Sequence, residues 1–399
     1  MAEVVCSLES ILALQEKANY TLQPSTLRIF GNKVPKLLSW STREKYDRGK
    51  RSLELYYDSI GGENRILLRF EIGIINVATD NFSEKNKISR WGYNGFTMYK
   101  GKLQNGQGVS IVGYNSGSKF QDYKNEAALL VKLEHENLLK LLGYCIQGTK
   151  VFLVYEFALC KTLDCVLCDP ECTLLDWNKR HKILLGVARA LVYLHQHAPM
   201  RIIHTNITTQ NILLDGSFDP KLSEFGLARC LATNEADCIK VYDGAWGTLG
   251  YMPPEYLDGG HLSTKVDVFS FGVVILVTLS GYRHNFLRDE MGLIQYVWTN
   301  WLKGTCLNII DPRIHANSST ITRFFHIGLL CVQEQATDRP TMEEVVSMLT
   351  NSSNLPPPLP KKYISPWMIE DDSDAPEIFS YDDDAPGPAA DFISELCPR

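Results

Sequence analysis

Short β-branched runs separated by Gly and Asn occupy residues 70 to 160 and predict strands, with one helical stretch over Tyr123 to Leu133. From about residue 175 to 350 the apolar period becomes that of a helix. Asp176 stands before Trp177 as an N-cap, and Ile183, Leu184, Val187, Leu191 and Leu194 mark one face of a long helix. A strand-rich half followed by a helix-rich half predicts an α+β arrangement. Residues 1–65 form a leader in which Leu8, Ile11, Leu12 and Leu14 fit an amphipathic helix, followed by the basic run Arg43, Lys45, Arg48, Lys50 and Arg51. The tail over 353–399 opens with Pro356-Pro357-Pro358 and continues through Glu370-Asp371-Asp372 and Asp382-Asp383-Asp384. So few apolar residues cannot offset the entropy of ordering, so this tail is expected to be disordered. No internal repeat is visible.

Composition narrows the picture. The 399 residues are 45% apolar and 22% charged, with a net charge of -6, which suits a globular protein and argues against a nucleic-acid surface. The 11 cysteines are scattered and odd in number, as expected of reduced thiols rather than of a disulfide framework. The opening MAEVVCSLESILALQEKA has acids among its apolar residues and no basic n-region, so it does not read as a signal peptide. The most apolar stretch, Val266 to Leu279, is too short for a transmembrane helix and carries Asp267 and Ser270. Position 2 is not Gly, Cys397 sits one place too late for prenylation, and Cys6 reads as an ordinary thiol before a palmitoylation site. The expected location is the cytoplasm. The basic run also suits peripheral contact with the inner face of the plasma membrane.

A series of blocks from Phe70 to about Leu349 resembles the plant receptor-like kinase/Pelle family. Phe70-Glu71-Ile72 through Ala78-Thr79-Asp80-Asn81-Phe82 resembles the helix preceding the kinase core. Leu153-Val154-Tyr155-Glu156-Phe157 resembles the gatekeeper and hinge. His204 to Leu214 matches the catalytic loop and Lys221 to Gly226 the metal-binding block. Gly247-Thr248 through Met252-Pro253-Pro254-Glu255 resembles the close of the activation segment, Asp267 to Gly272 the central C-lobe helix, and Asp338-Arg339-Pro340 the late C-lobe motif. The resemblance implies a bilobal protein-kinase-like domain over 66–352, with a small β-rich N-lobe and a larger helical C-lobe. It also implies a Glu255–Arg339 ion pair, an Asp267 that holds the catalytic-loop backbone, and a hydrophobic regulatory spine through Leu130, His204 and Phe225.

The same resemblance locates the chemistry and shows it altered. Phosphoryl transfer rests on positioning and charge neutralisation, so each part can be checked. The glycine loop, Ile88 to Phe96, keeps Gly92 and Gly95 at the wrong interval and places Trp91 and Tyr93 where phosphates would lie, which predicts a distorted hairpin without ligand. Val109-Ser110-Ile111-Val112 puts Val112 at the lysine position, leaving Glu126 on the following helix without that partner. Lys100 or Lys102 on the neighbouring strand could in principle reach the phosphates, but a lysine at position 100 is ordinary for the family and is expected to face solvent. In the catalytic loop Asn206 replaces the general-base aspartate, Thr205 the phosphate-reading arginine and Thr208 the phosphoryl-neutralising lysine, while Asn211 keeps a metal-ligand type. Glu224-Phe225-Gly226 replaces D-F-G, and the longer carboxylate fits octahedral Mg²⁺ less well. The catalytic residues are therefore expected to be degenerate at Val112, Asn206 and Glu224. Gly92, Gly95, Ser110, Glu126, Tyr155, Phe157, Asn211, Leu213 and Glu224 would line any nucleotide site, and Asn211 and Glu224 would hold any Mg²⁺.

Other signals read as structural. Cys160, Cys165, Cys168 and Cys172 follow a C-x4-C-x2-C-x3-C spacing unlike paired zinc sites, so no zinc is expected. His195 and His197 read as helix C-terminal charges. Three readings of function follow from the resemblance. The first is a non-catalytic adaptor or decoy whose partners are receptor-like kinases or immune receptors, given features shared with receptor-less plant pseudokinases that pair with NLR receptors and with cysteine-rich receptor-like kinases. The second is a weak serine/threonine kinase. The third is a switch that binds ATP without catalysis.

Overall fold

The computed structural model describes residues 67–91, 96–115, 120–148, 150–156, 161–169, 172, 175–231, 238–242, 244–281 and 292–351. The leader and the acidic tail lie outside the described residues, as do Gly92, Tyr93, Gly95, Phe157 and Cys160.

Strands form in the predicted half. A six-stranded sheet contains β1 (Leu68–Arg69), β2 (Lys87–Trp91), β3 (Phe96–Lys102), β4 (Gly108–Asn115), β5 (Leu141–Gln147) and β6 (Lys150–Tyr155), in the order β1-β5-β6-β4-β3-β2. Only the β1–β5 pair within it is parallel. The β2–β3 hairpin expected of the glycine-loop segment is present, with Trp91 opposite Phe96 and a register shift between Lys87 and Arg90.

The two-residue period of β4 sends side chains to two different cores. Val109 and Ile111 pack with Ile75 and Ala78 of α1 (Ile72–Thr79) on the outer face. Val112 and Tyr114 point to the inner face, into the core that also holds Ala127 and Leu130 of α2 (Phe120–Leu130). The sequence placed this second helix over Tyr123 to Leu133; it ends earlier. The amides of Lys132 and Leu133 bond three residues back, to Leu129 and Leu130, so the last turn tightens out of the α-helix. Leu133 nonetheless stays buried. Its apolar contact continues the periodic pattern after the backbone has left the helix.

The second half is helical. It comprises α3 (Leu163–Cys168), α4 (Trp177–Val192), α5 (Pro254–Gly259), α6 (Thr264–Ser280), α7 (Leu293–Leu302), α8 (Ser318–Cys331) and α9 (Met342–Thr350). The Asp176 carboxylate caps α4 by accepting from the Lys179 amide at 3.0 Å. All of the predicted α4 face, Ile183 to Leu194, is buried, each such side chain contributing about 1.5–3 kcal/mol. The apolar run that is too short for a membrane forms α6, buried all round from Val266 to Ser280, as a helix through the middle of a lobe must be. Its backbone meets α8 closely. A Cβ on Gly272 would lie 2.6 Å from that of Cys331, and one on Gly328 would lie 2.6 Å from Leu276 Cδ2.

Short strands shape the loops of the second half in three small sheets of their own. They are β7 (Lys161–Thr162) with β9 (Ile212–Leu214) and β10 (Pro220–Leu222), β8 (Arg201–Ile203) with β11 (Arg229–Leu231), and β12 (Cys238–Lys240) with β13 (His261–Ser263). The fold is the expected α+β, β-sheet lobe plus helical lobe. Two arginines stiffen the helical lobe. The Arg339 guanidinium donates to both Glu255 oxygens at 2.6 and 2.8 Å, as the resemblance implied, and to the carbonyls of Gln333, Lys265 and Glu334. The Arg180 side chain is fully buried on α4 and donates to Asp311 Oδ2 at 2.8 Å.

Candidate active site

The loop between β8 and β9 is built on a single carboxylate. Asp267, in the first turn of α6 and fully buried, accepts the amides of His204 and Thr205, each at 2.8 Å. Burying a charge here is tolerated because both of its oxygens are occupied. The role expected of Asp267 is therefore seen. A third contact corrects the reading of His195 as a helix C-terminal charge. The chain leaves α4 through a π turn over Tyr193–His197, which rotates His195 inward, and its Nε2 lies 2.9 Å from Asp267 Oδ2. His197 is exposed.

The substituted loop residues use their polar atoms locally. Thr205, with φ of 68°, donates its hydroxyl to the Leu227 carbonyl at 3.1 Å. Thr208 accepts the Asn211 amide at 3.2 Å and so caps the turn over Thr209–Asn211. Asn206 is 2% exposed; its Oδ1 accepts from Thr248 at 2.8 Å and its carbonyl accepts from Asn211 Nδ2 at 2.9 Å. The remaining amide atoms, Asn206 Nδ2 and Asn211 Oδ1, are buried with no hydrogen-bond partner among the described residues. A carboxamide has no basic lone pair near neutral pH, so the position that would take a hydroxyl proton offers only hydrogen bonds.

After β10 the chain turns at Glu224, which is half-buried in the left-handed region with φ of 68° and ψ of 60°. That conformation costs a non-glycine residue about 1–2 kcal/mol, so the surroundings must hold it. Phe225 packs edge-on against His204 at 4.7 Å, both rings fully buried, and Leu130 joins the same core. The three predicted spine residues thus lie in one core. Burial pushes the His204 imidazole below its ordinary pKa, and its Nε2 lies 2.9 Å from the Ser223 carbonyl. From α2, Asn125 Nδ2 donates to the carbonyls of Gly226 at 2.8 Å and Ala228 at 3.0 Å, with Phe225 O at 3.5 Å. The motif comparison passed over Asn125. Its place directly before Glu126 was the only signal available.

On the sheet side, Val112 is fully buried, paired across to Met98 and Leu153. Glu126, 2% exposed, receives the Tyr155 hydroxyl at 3.1 Å on Oε1. Tyr114 and Tyr155 are buried in the same core as Val112 and Leu153. Burial first, and the Glu126 carboxylate among the other causes, hold both phenols well above their ordinary pKa. The wall that the family resemblance assigns to an ammonium is therefore aliphatic and phenolic. Lys100 is exposed, as expected, and so is Lys102.

Of the residues named for a nucleotide site, Ser110 faces Tyr155 across β4 and β6, and Tyr155 bonds Glu126. Asn211 and Leu213 run into β9, and Ser223, beside Glu224, donates its hydroxyl to the Asn211 carbonyl at 2.9 Å. The orphan Asn211 Oδ1 and the Glu224 carboxylate are oxygen donors of the kind Mg²⁺ takes, but Asn206 adds an N–H donor where an anion would help, so the donor set fits a cation only in part. Among the described residues no group of three or more His, Cys, Asp or Glu side chains is placed to hold a metal ion. Cys165 is exposed on α3 while Cys168 and Cys172 are half-buried free thiols. A cavity of about 720 Å³ opens elsewhere, between His195, Cys238, Glu255, His261 and Lys265, away from the catalytic loop. Among the described residues no helix is long and apolar enough to cross a membrane.

Residues 110–349 match the protein kinase domain family. The chain is 41% identical over 334 residues to putative cysteine-rich receptor-like protein kinase 31 of Arabidopsis thaliana, covering 81% of this chain and 49% of that one. It is 41% identical over 317 residues to cysteine-rich receptor-like protein kinase 29 of the same plant (77% and 46% covered). It is 43% identical over 297 residues to putative cysteine-rich receptor-like protein kinase 20, again from that plant (72% and 44% covered). The chain spans about half the length of the curated relatives it matches. With this match, the two-lobed fold and the Asp267-pinned loop, the chain belongs to the protein kinase domain family, and its relatives are plant receptor-like kinases.

Proposed function

We propose that the chain is a non-catalytic, kinase-like signalling adaptor or decoy that acts with receptor-like kinases or immune receptors of a plant. The observation that carries this reading is the buried Asn206 carboxamide, bonded to Thr248 in the place of a general base. Loss of a general base costs on the order of 10²–10⁴ in rate, and loss of a preorganised charge a similar order. The fully buried Val112 removes such a charge. These losses are not additive, but neither is compensated by the other. The test is incubation of the full chain with radiolabelled ATP and Mg²⁺ or Mn²⁺. The expected result is no incorporation; incorporation that Glu224→Ala abolishes would overturn the reading in favour of a weak serine/threonine kinase. Recovery of only background proteins in a pull-down from plant extract would remove the adaptor role.

Nucleotide binding without transfer is a second reading, favoured by the buried Asn211 Oδ1, which has no hydrogen-bond partner among the described residues, on a residue bonded to Ser223 next to the Glu224 turn. ATP would then rest on Ser110, Tyr155 and Leu213, with Asn211 and Glu224 holding Mg²⁺. A thermal-shift series with ATP, with and without Mg²⁺, measures it, since a ligand at 100 times its Kd stabilises by about 2.7 kcal/mol. Residence in the cytoplasm, with the basic leader touching the inner face of the plasma membrane, belongs to the same proposal. Co-sedimentation with phosphatidylserine vesicles tests the membrane contact.

A further inference from the structure

We propose that the cavity of about 720 Å³ beside the π turn is a docking site for a basic segment of a partner protein, which places an Arg or Lys side chain in it. The cavity is walled by that turn, the β12–β13 ladder, α5, the N-terminal turns of α6 and α9, and the 334–337 turn. Its size falls within the range of ligand sites, about 300–1,000 Å³. The charges that remain free in it are negative. Glu255 is taken by Arg339, Lys265 is bonded to the Arg339 carbonyl, and Arg201 is engaged within the chain. Asp258 and Glu334 line the same cavity, are exposed, and form no ion pair among the described residues. The sequence leading into β12, Ala232 to Asp237, adds Glu235 and Asp237 and no cation.

A buried side chain points the same way. His195 is 7% exposed and lines the cavity; its Nε2 lies 2.9 Å from Asp267 Oδ2, and its Nδ1 has no hydrogen-bond partner among the described residues. An ionised carboxylate only accepts, so the proton of the neutral ring sits on Nε2 and leaves Nδ1 as an acceptor. Two free carboxylates and a ring nitrogen therefore ask for a donor that carries positive charge. Pro254, Ala336 and the buried Met342 give the lining an apolar part. An alkyl stem that ends in a cation covers such a surface while its head reaches the carboxylates, as Lys and Arg do. The positive ends of α6 and α9 also reach the cavity and by themselves would favour an anion. Each is answered within its own first turn, by Asp267 in α6 and by Glu343 and Glu344 in α9. None of Val112, Asn206 or Glu224 lines the cavity, so the radiolabel assay and the test below fail separately.

The test is fluorescence anisotropy of labelled tetra-arginine and tetra-lysine titrated with the full chain at about 0.15 M salt, where exposed charges more than about 8 Å apart are largely screened. Saturable binding with a Kd below about 1 mM is expected, and none for tetra-glutamate. Asp258→Asn combined with Glu334→Gln should weaken binding about five-fold or more, as the loss of two charge-assisted contacts would. Thr337→Trp narrows the cavity from an exposed position without changing charge, and should weaken binding by a similar factor. Asp382→Asn combined with Asp383→Asn makes the same change of charge in the acidic tail and should leave the Kd within about two-fold. Circular dichroism melts report whether each variant keeps the fold. Peptide binding that the tail variant weakens and both cavity variants leave unchanged, with melts intact, would overturn the proposal. So would a failure to saturate below about 1 mM, or spermidine binding more tightly than either peptide.

Discussion

Asp311→Asn is the sharpest test of the charge network behind the helical lobe. The Asp311 carboxylate is 2% exposed and takes two guanidiniums: Arg180 on Oδ2 at 2.8 Å, and Arg313 on Oδ2 at 2.7 Å and Oδ1 at 3.0 Å. Burial alone would raise its pKa, but the Arg313 hydrogen bonds and the Arg180 charge outweigh it and bring the group down to about 2 from an ordinary 3.8. That difference is worth about 2 kcal/mol, at 1.36 kcal/mol per pKa unit. Because the folded-state pKa is the lower one, the contribution is complete above about pH 5. It is lost as the pH falls through about 4 towards 2. Removing the anion at neutral pH strands Arg180, which has no solvent exposure, and breaking one side of such a pair costs about 3–5 kcal/mol. Urea unfolding followed by circular dichroism at pH 7 should therefore show the variant less stable by that amount. At pH 3 the gap should have narrowed by about 1 kcal/mol, since part of the wild-type contribution is already gone. A variant as stable as wild type at pH 7, or a gap that widens towards pH 3, would refute the reasoning.

Other variants probe single contacts. Gly272→Ala places a methyl 2.6 Å from the Cys331 Cβ, and should lower stability by about 1–3 kcal/mol, read as the shift in urea midpoint at constant slope. Arg339→Lys keeps the charge but loses the paired contacts to Glu255 at 2.6 and 2.8 Å; a cost of about 2 kcal/mol or more is expected by the same measurement, and a neutral result would mean that charge alone suffices. Thr341→Ala breaks the capping box in which Thr341 and Glu344 satisfy each other's backbone amides, and should cost about 1 kcal/mol in a thermal melt.

Local pattern was legible wherever one residue's neighbours in sequence are also its neighbours in space. The α4 face from Ile183 to Leu194 and its Asp176 cap appear in the structure as the period and the cap rule predict. The same holds for α6, whose length and embedded Asp267 argued against a membrane span and whose all-round burial explains its continuous apolar character. Conversely, the end of α2 was misplaced because Leu133 keeps the apolar period after its amide has changed partners. The inward turn of His195 depends on a π turn that no side-chain pattern announces.

The chain alone determined which residue types stand at the chemical positions. Val112, Asn206 and Thr208 are covalent facts, and no folding can give a carboxamide the basicity of a carboxylate. Tertiary structure decided what those atoms do instead. Asn206 turns to Thr248, Glu126 meets a phenol from another strand, and Asn125 reaches carbonyls 101 and 103 residues away. The Arg180–Asp311 contact likewise closes across 131 residues. Hydrogen bonds and ion pairs depend on distances of a few tenths of an ångström, and such distances between remote segments are set only when the whole core packs. Composition and period determine which groups exist and which face they take; the packed core determines which of them meet.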